Sequence, residues 1–165
     1  GLKFHPSISQ MAIDAPEMRP VLEFANRKRL PLLYHCGRTP ISWAEPVQRV
    51  ADSYPDVKFI LGHLGGNAYD RILLTMKLFS TGLPGNVYVE SSTARHPDLL
   101  WRAIENYGHD KVMFGSDMPF TDPRMNWSCI RYAGLDQHEG FLGGNLLQLL
   151  ERRYVQSVTV DHPVA

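Results

Sequence analysis

Val57-Lys58-Phe59-Ile60-Leu61-Gly62-His63-Leu64-Gly65-Gly66 is the stretch on which the fold turns. A short apolar run halts at a glycine, which reads as a strand entering a turn, and a histidine follows at once. Its glycines at 62, 65 and 66 lack the G-x-G-x-x-G spacing that a dinucleotide-binding sheet places after a strand. Four more runs share the form: Leu2 to His5, Pro31 to His35, Asn86 to Glu90 and Lys111 to Phe114, each bounded by turn residues. Between them, helical periodicity puts Met18, Val21, Leu22 and Ala25 on one face, and Leu100, Ala103, Ile104 and Tyr107 on another. Asp14 with Glu17 and Ser42 with Glu45 have capping-box spacing, while Pro97 suits a first turn and Gly108 a helix end. The alternation recurs at the interval of one βα unit, which implies parallel strands with right-handed crossovers.

A doubly wound sheet and a (β/α)₈ barrel share that alternation, and only the chemistry at the strand ends separates them. The first strand ends in His5, the second in His35, the third runs into His63, the fourth ends in Glu90, and the fifth reaches Asp117. In a parallel barrel the C-terminal strand ends converge on one mouth, so these side chains would gather although far apart in sequence. The chain is therefore read as α/β, a partial (β/α)₈ TIM barrel of about five βα units. Because eight units need about 250 residues, residues 1–165 are expected to form the C-terminal part of a single barrel domain.

Strand parity bears on which way the polar groups point. Lys3 with His5, Leu33 with His35, and Leu61 with His63 should each share a face, which would aim the histidines inward. Neutral imidazole and carboxylate hold Zn²⁺ or a similar divalent ion at a catalytic site that keeps a position open for water. Such an ion lowers the pKa of bound water to about 7 and polarises a carbonyl, which is hydrolytic chemistry. A lone histidine at a strand end is more often a hydrogen-bonded core or rim residue. The equivalent placement of His35, His63 and Asp117 in successive units favours function for these three. Lys3, Glu90, Arg38 and Arg95 have plainer readings as edge or loop residues. His96, His109, His138 and His162 fall in turns, helix starts or the tail, where surface roles suit them.

Composition excludes several classes. With 44% hydrophobic and 21% charged residues the chain has the balance of a globular domain, not of a disordered one. Seventeen basic against seventeen acidic residues leave no net charge, so neither nucleic acid nor an anionic membrane is an expected partner and the substrate is expected to be a small molecule. Cys36 and Cys129 make no disulfide framework and no C-x-x-C pair, which fits a reducing, cytoplasmic setting. No apolar run reaches the length of a membrane span.

Taken in order, Gly1-Leu2-Lys3-Phe4-His5-Pro6, Pro31-Leu32-Leu33-Tyr34-His35-Cys36-Gly37 and Phe59-Ile60-Leu61-Gly62-His63-Leu64-Gly65-Gly66 resemble the amidohydrolase-related family. That group includes aminocarboxymuconate semialdehyde decarboxylase and related metal-dependent hydrolases. The likeness continues through Asn86-Val87-Tyr88-Val89-Glu90-Ser91-Ser92, Val112-Met113-Phe114-Gly115-Ser116-Asp117-Met118-Pro119-Phe120 and Gly143-Gly144-Asn145. It implies that the five strands are barrel strands four to eight, with strands one to three absent from these residues. By the same resemblance His35 is the strand-five metal ligand, and Asp117 both binds metal and manages the proton of the attacking water. His63 either binds metal or orients that water. Lys3 stands where some relatives carry a carbamylated lysine, and with His5, Arg38 and Glu90 it would line the substrate pocket.

The family's strand-one H-x-H pair is missing, since every histidine here lacks an i+2 partner. The expectation is a chain that by itself holds metal weakly and turns over poorly. Three functions follow. The first is hydrolysis of an amide, ester or lactone by metal-activated water, with Zn²⁺ the expected ion. The alternative on the same scaffold is non-oxidative decarboxylation of an aromatic or unsaturated acid, with Arg38 or Arg95 placed for the carboxylate. The third is a catalytically incomplete piece whose open sheet edges invite association, a homo-oligomer included.

Overall fold

The computed structural model describes residues 1–150; residues 151–165, His162 among them, lie outside the described part. Five strands form one sheet in the order β1 (Leu2–Phe4), β2 (Pro31–Tyr34), β3 (Lys58–Leu61), β4 (Val87–Glu90) and β5 (Val112–Met113), every pair parallel. The connections carry α1 (Pro6–Ser9), α2 (Arg19–Arg27), α3 (Glu45–Ala51), α4 (Tyr69–Leu78) and α5 (Pro97–Tyr107), and α6 (Pro123–Tyr132) follows β5. Each strand lies within one or two residues of its expected place, and Pro97 and Gly108 do bound a helix.

The two faces of the sheet differ. On one, Leu32, Tyr34, Phe59, Leu61, Val87, Val89 and Val112 join Leu22, Ala25, Val47, Leu99 and Ile104 from the helices in a single buried core. Burying a side chain such as Leu61 stabilises by roughly 2 kcal/mol, so this layer holds the chain together. The other face presents the register row Lys3, Leu33, Ile60 and Tyr88, with Glu90 beside Met113. There only a small cluster of Ile60, Tyr88 and Met113 forms, covered by Leu149 from the helical residues 145–150. Large helical cores on both faces, the mark of a doubly wound sheet, are not what the described residues build. This one-sided layering is that of part of a barrel wall.

Neither capping box forms. Asp14 accepts instead from Arg49 at 2.7 Å, and the Ser42 hydroxyl donates to the Thr39 carbonyl, so α3 starts after Ala44 with no side-chain cap. Glu45 is drawn off to Arg71, whose guanidinium lies 4.1 Å over the Trp43 ring. Spacing alone permits a box, but a stronger cationic partner takes each carboxylate. Both cysteines are free, and no described helix is long and apolar enough to cross a membrane.

Beyond β3 the chain makes a tight turn over Gly62–Gly65 before α4. At Gly65 φ is +82°, and a Cβ there would stand 2.5 Å from the Thr75 methyl, whose hydroxyl donates to the Gly65 carbonyl at 2.9 Å. Gly65→Ala is therefore expected to cost about 2 kcal/mol, read as a lowered midpoint in urea. An unchanged midpoint would show that the turn can relax.

Candidate active site

The C-terminal ends of the strands carry the polar groups, and three imidazoles meet there. His5 and His35 stack with ring centroids 3.7 Å apart, and His35 meets His63 edge-on at 4.8 Å. Between the latter two, Nδ1 of His35 lies 3.1 Å from Nε2 of His63.

His63 reaches this place by a route that strand parity does not describe. Leu61 points outward into the helical layer, and Ile60 is the inward residue. The expectation that His63 faces inward because it shares Leu61's face is therefore corrected. What turns the ring inward is a left-handed backbone at His63, with φ of 57° and ψ of 41°, entered directly after Gly62. For a non-glycine residue this conformation costs roughly 1–2 kcal/mol, so other contacts must hold it.

Glu90 does so. Its Oε1 accepts the His63 backbone N–H at 2.8 Å and the Ser92 hydroxyl at 2.7 Å, while Oε2 accepts the Ser92 backbone N–H at 2.7 Å. The residue is buried, and the backbone is cleared around it: a Cβ on Gly115 would stand 1.9 Å from Oε2, and one on Gly62 would be 3.1 Å from Oε1. Glu90 was expected to bind substrate. It does line the cavity inside the sheet, and both of its carboxylate oxygens also hold the β3 and β4 ends together.

That network also sets the tautomer of His63. The Ser92 hydroxyl gives its hydrogen to Glu90, so its oxygen accepts from His63 Nδ1 at 2.8 Å, and the Ser92 carbonyl at 3.2 Å can only accept. Thr93 Oγ1 adds a contact at 3.2 Å. The proton therefore sits on Nδ1, and the Nε2 lone pair faces His35. Ser92 and Thr93 went unrecognised in the sequence. Their signal, two hydroxyl residues just after a strand-end glutamate, gains meaning only once β3 and β4 are known to be neighbours.

His35 is held neutral. Burial, then the neighbouring His63, His5 and Lys3, lower its pKa from 6.5 to about 4. Between those values the unfolded chain carries the proton and the folded chain does not, so the contribution is complete above about pH 6.5 and is lost as pH falls towards 4. In the metal-free protein the Tm gap between wild type and His35→Gln should narrow over that window. A gap that stays constant would contradict the assignment.

Inside the sheet lies a cavity of about 290 Å³, small for a ligand pocket. Leu33, Ile60, Met113, Phe114 and Leu146 make its apolar wall, and Lys3, His63, Glu90, Ser92, Ser116 and Asp117 its polar part. Asp117 arrives there on a left-handed backbone, φ 56°, after the Gly115-Ser116 turn. His5 belongs to the imidazole stack. Arg38 lines a different cavity, together with Arg95.

Fitness for metal can be judged on these donors. Two imidazoles face each other nitrogen to nitrogen, His5 Nδ1 is buried with no hydrogen-bond partner among the described residues, and Asp117 shares the cavity wall with His63. This chemistry suits a divalent ion. Among the described residues, however, no three His, Cys, Asp or Glu side chains come close enough together to hold one, so the expected gathering of His35, His63 and Asp117 about a single centre is not drawn closed. The donors present amount to part of a site.

Solved structures share this fold. The 5-carboxyvanillate decarboxylase of Sphingomonas paucimobilis superposes with a TM-score of 0.65 at 20% identity, over 86% of this chain and 55% of that one. A 2,6-dihydroxybenzoate decarboxylase from Rhizobium gives 0.65 at 18%, over 86% and 57%. A dihydroxybenzoic acid decarboxylase from Polaromonas sp. JS666, solved with bound manganese and the inhibitor 2-nitroresorcinol, gives 0.66 at 18%, over 90% and 57%. The chain thus spans a little over half the length of these proteins. No curated protein matches it significantly in sequence. The sequence profile described as Amidohydrolase matches residues 1–150, which is most of the chain, and on that match the chain belongs to the amidohydrolase family.

Proposed function

We propose that this chain carries much of the active site of a metal-assisted enzyme that removes carbon dioxide from a small aromatic or unsaturated acid. The observation behind the reading is the 290 Å³ cavity, in which one cation, Lys3, faces a wall of Leu33, Ile60 and Met113. A carboxylate paired with Lys3 would sit beside an apolar wall on which an aromatic or vinyl group can rest. The decarboxylase activity named for the structural neighbours supports the same choice over hydrolysis.

His35 and His63, with Asp117 in the same cavity wall, would contribute part of a metal site, and a divalent ion held there would supply Lewis acidity towards a substrate oxygen. Zn²⁺ is the ion expected from the donor types, and manganese the one held by the Polaromonas enzyme. The chain's own groups divide the remaining work. Lys3 orients the acid. The bond between the ring or vinyl carbon and the carboxylate breaks, carbon dioxide leaves, and the electron pair left on carbon takes up one proton. Glu90 is spent on three donors, so Asp117 is the carboxyl group in the cavity wall left to relay that proton from solvent to carbon. His63, fixed by Ser92, keeps its Nε2 lone pair towards the site.

Hydrolysis of an amide, ester or lactone is the second reading, since a water beside Asp117 and His63 would use the same groups. Assaying carbon dioxide release against amide and lactone cleavage, with zinc or manganese added, separates the two. Carbon dioxide from a hydroxybenzoate-type acid is the expected result; cleavage of amides or lactones without it would replace the proposal by hydrolysis.

A further inference from the structure

A second cavity, of about 240 Å³, opens beside the first. Arg38 from the loop after β2, Arg95 and His96 from the loop after β4, and Asn67, Tyr69 and Thr93 give it a polar lining that contains no carboxylate. Neither arginine meets an acidic side chain among the described residues. The nearest acid on α5, Asp98, accepts from the Tyr69 hydroxyl at 2.8 Å and pairs with Arg102 at 3.5 Å, while Asp70 in the first turn of α4 is exposed.

The backbone adds to the positive field. Both α4 and α5 begin at this cavity, after Ala68 and His96, and neither has a side-chain cap. Two guanidinium groups, which match an oxyanion with paired N–H donors, thus share a concave space with the positive ends of two helices. Thr93 links this space to the candidate active site, because its hydroxyl also touches His63 Nδ1.

We infer that this second cavity binds an oxyanion, the carboxylate or phosphate group of a small molecule, next to His63. Binding there is independent of which reaction the first cavity performs, and it can be read without turnover. Inorganic phosphate and succinate are titrated separately into the protein by calorimetry at low salt, and the ring resonances of His63 are followed in parallel. Saturable binding of at least one of them is expected, weakening as salt is added and accompanied by a shift of the His63 ring signals. Tighter binding of phosphate would assign a phosphorylated ligand; tighter binding of succinate, a carboxylate. Both arginines are exposed, so Arg38→Gln with Arg95→Gln should fold normally and bind at least about tenfold more weakly. Failure of both anions to saturate, or equal affinity in the double variant, would overturn the inference.

Discussion

Glu90→Ala is expected to lower the unfolding free energy by about 4 kcal/mol, enough to leave many domains marginal. The change strands three donors at once, the backbone N–H groups of His63 and Ser92 and the Ser92 hydroxyl, in a place water does not readily reach. It also removes the contact that holds His63 in its left-handed conformation, so binding of metal or substrate at that ring should fail together with stability. Glu90→Gln is the milder probe, since it keeps the volume but sets an amide N–H against one of those donors. Gly115→Ala attacks the same carboxylate from the other side, by steric overlap. Denaturant titration of the three variants checks the argument. Wild-type stability in Glu90→Ala would mean that the carboxylate is dispensable to the turn.

The second large effect is on turnover. Asp117→Asn should reduce kcat about 10³-fold while changing stability by less than about 0.5 kcal/mol. Asparagine is chosen because Asp117 has φ of 56°, a region that asparagine tolerates better than most residues. The substitution therefore removes the acid and leaves the turn intact. Asp117→Ala would confound the two by adding backbone strain. Retained activity in Asp117→Asn, whichever substrate class is used, would remove this residue from the chemistry.

The fold was legible because it depends on features of period and punctuation. Apolar runs such as Val57 to Leu61, halted by glycine, report a buried strand whatever surrounds them, and Pro97 and Gly108 bound α5 by their own backbone restrictions. His35 was legible by parity, as it continues the inward face of Leu33. His63 is picked out by its place after β3, but strand parity misstates how its ring comes to face inward. Its direction comes from φ at residues 63 and 64, and that conformation is held by a glutamate on another strand. Local pattern carries no trace of such a contact. The same limit applies to Glu90, whose three donors no local pattern announces, and to Arg38, whose position after β2 says nothing of which cavity it enters. Capping boxes at Asp14 and Ser42 failed for the converse reason, since the local pattern was satisfied and distant arginines competed for the carboxylates.

His35 and His63, rather than any other imidazoles, are proposed to form the metal-binding part of the site. A surface pair offers a natural control: His109 and His138 stack with centroids 5.0 Å apart and a 2.7 Å nitrogen contact, away from the cavity. Substoichiometric Mn²⁺, whose unpaired electrons broaden nearby resonances, should first erase the ring signals of His35 and His63 and the side-chain signals of Asp117. Broadening at His109 and His138 with the inner rings untouched would contradict the assignment.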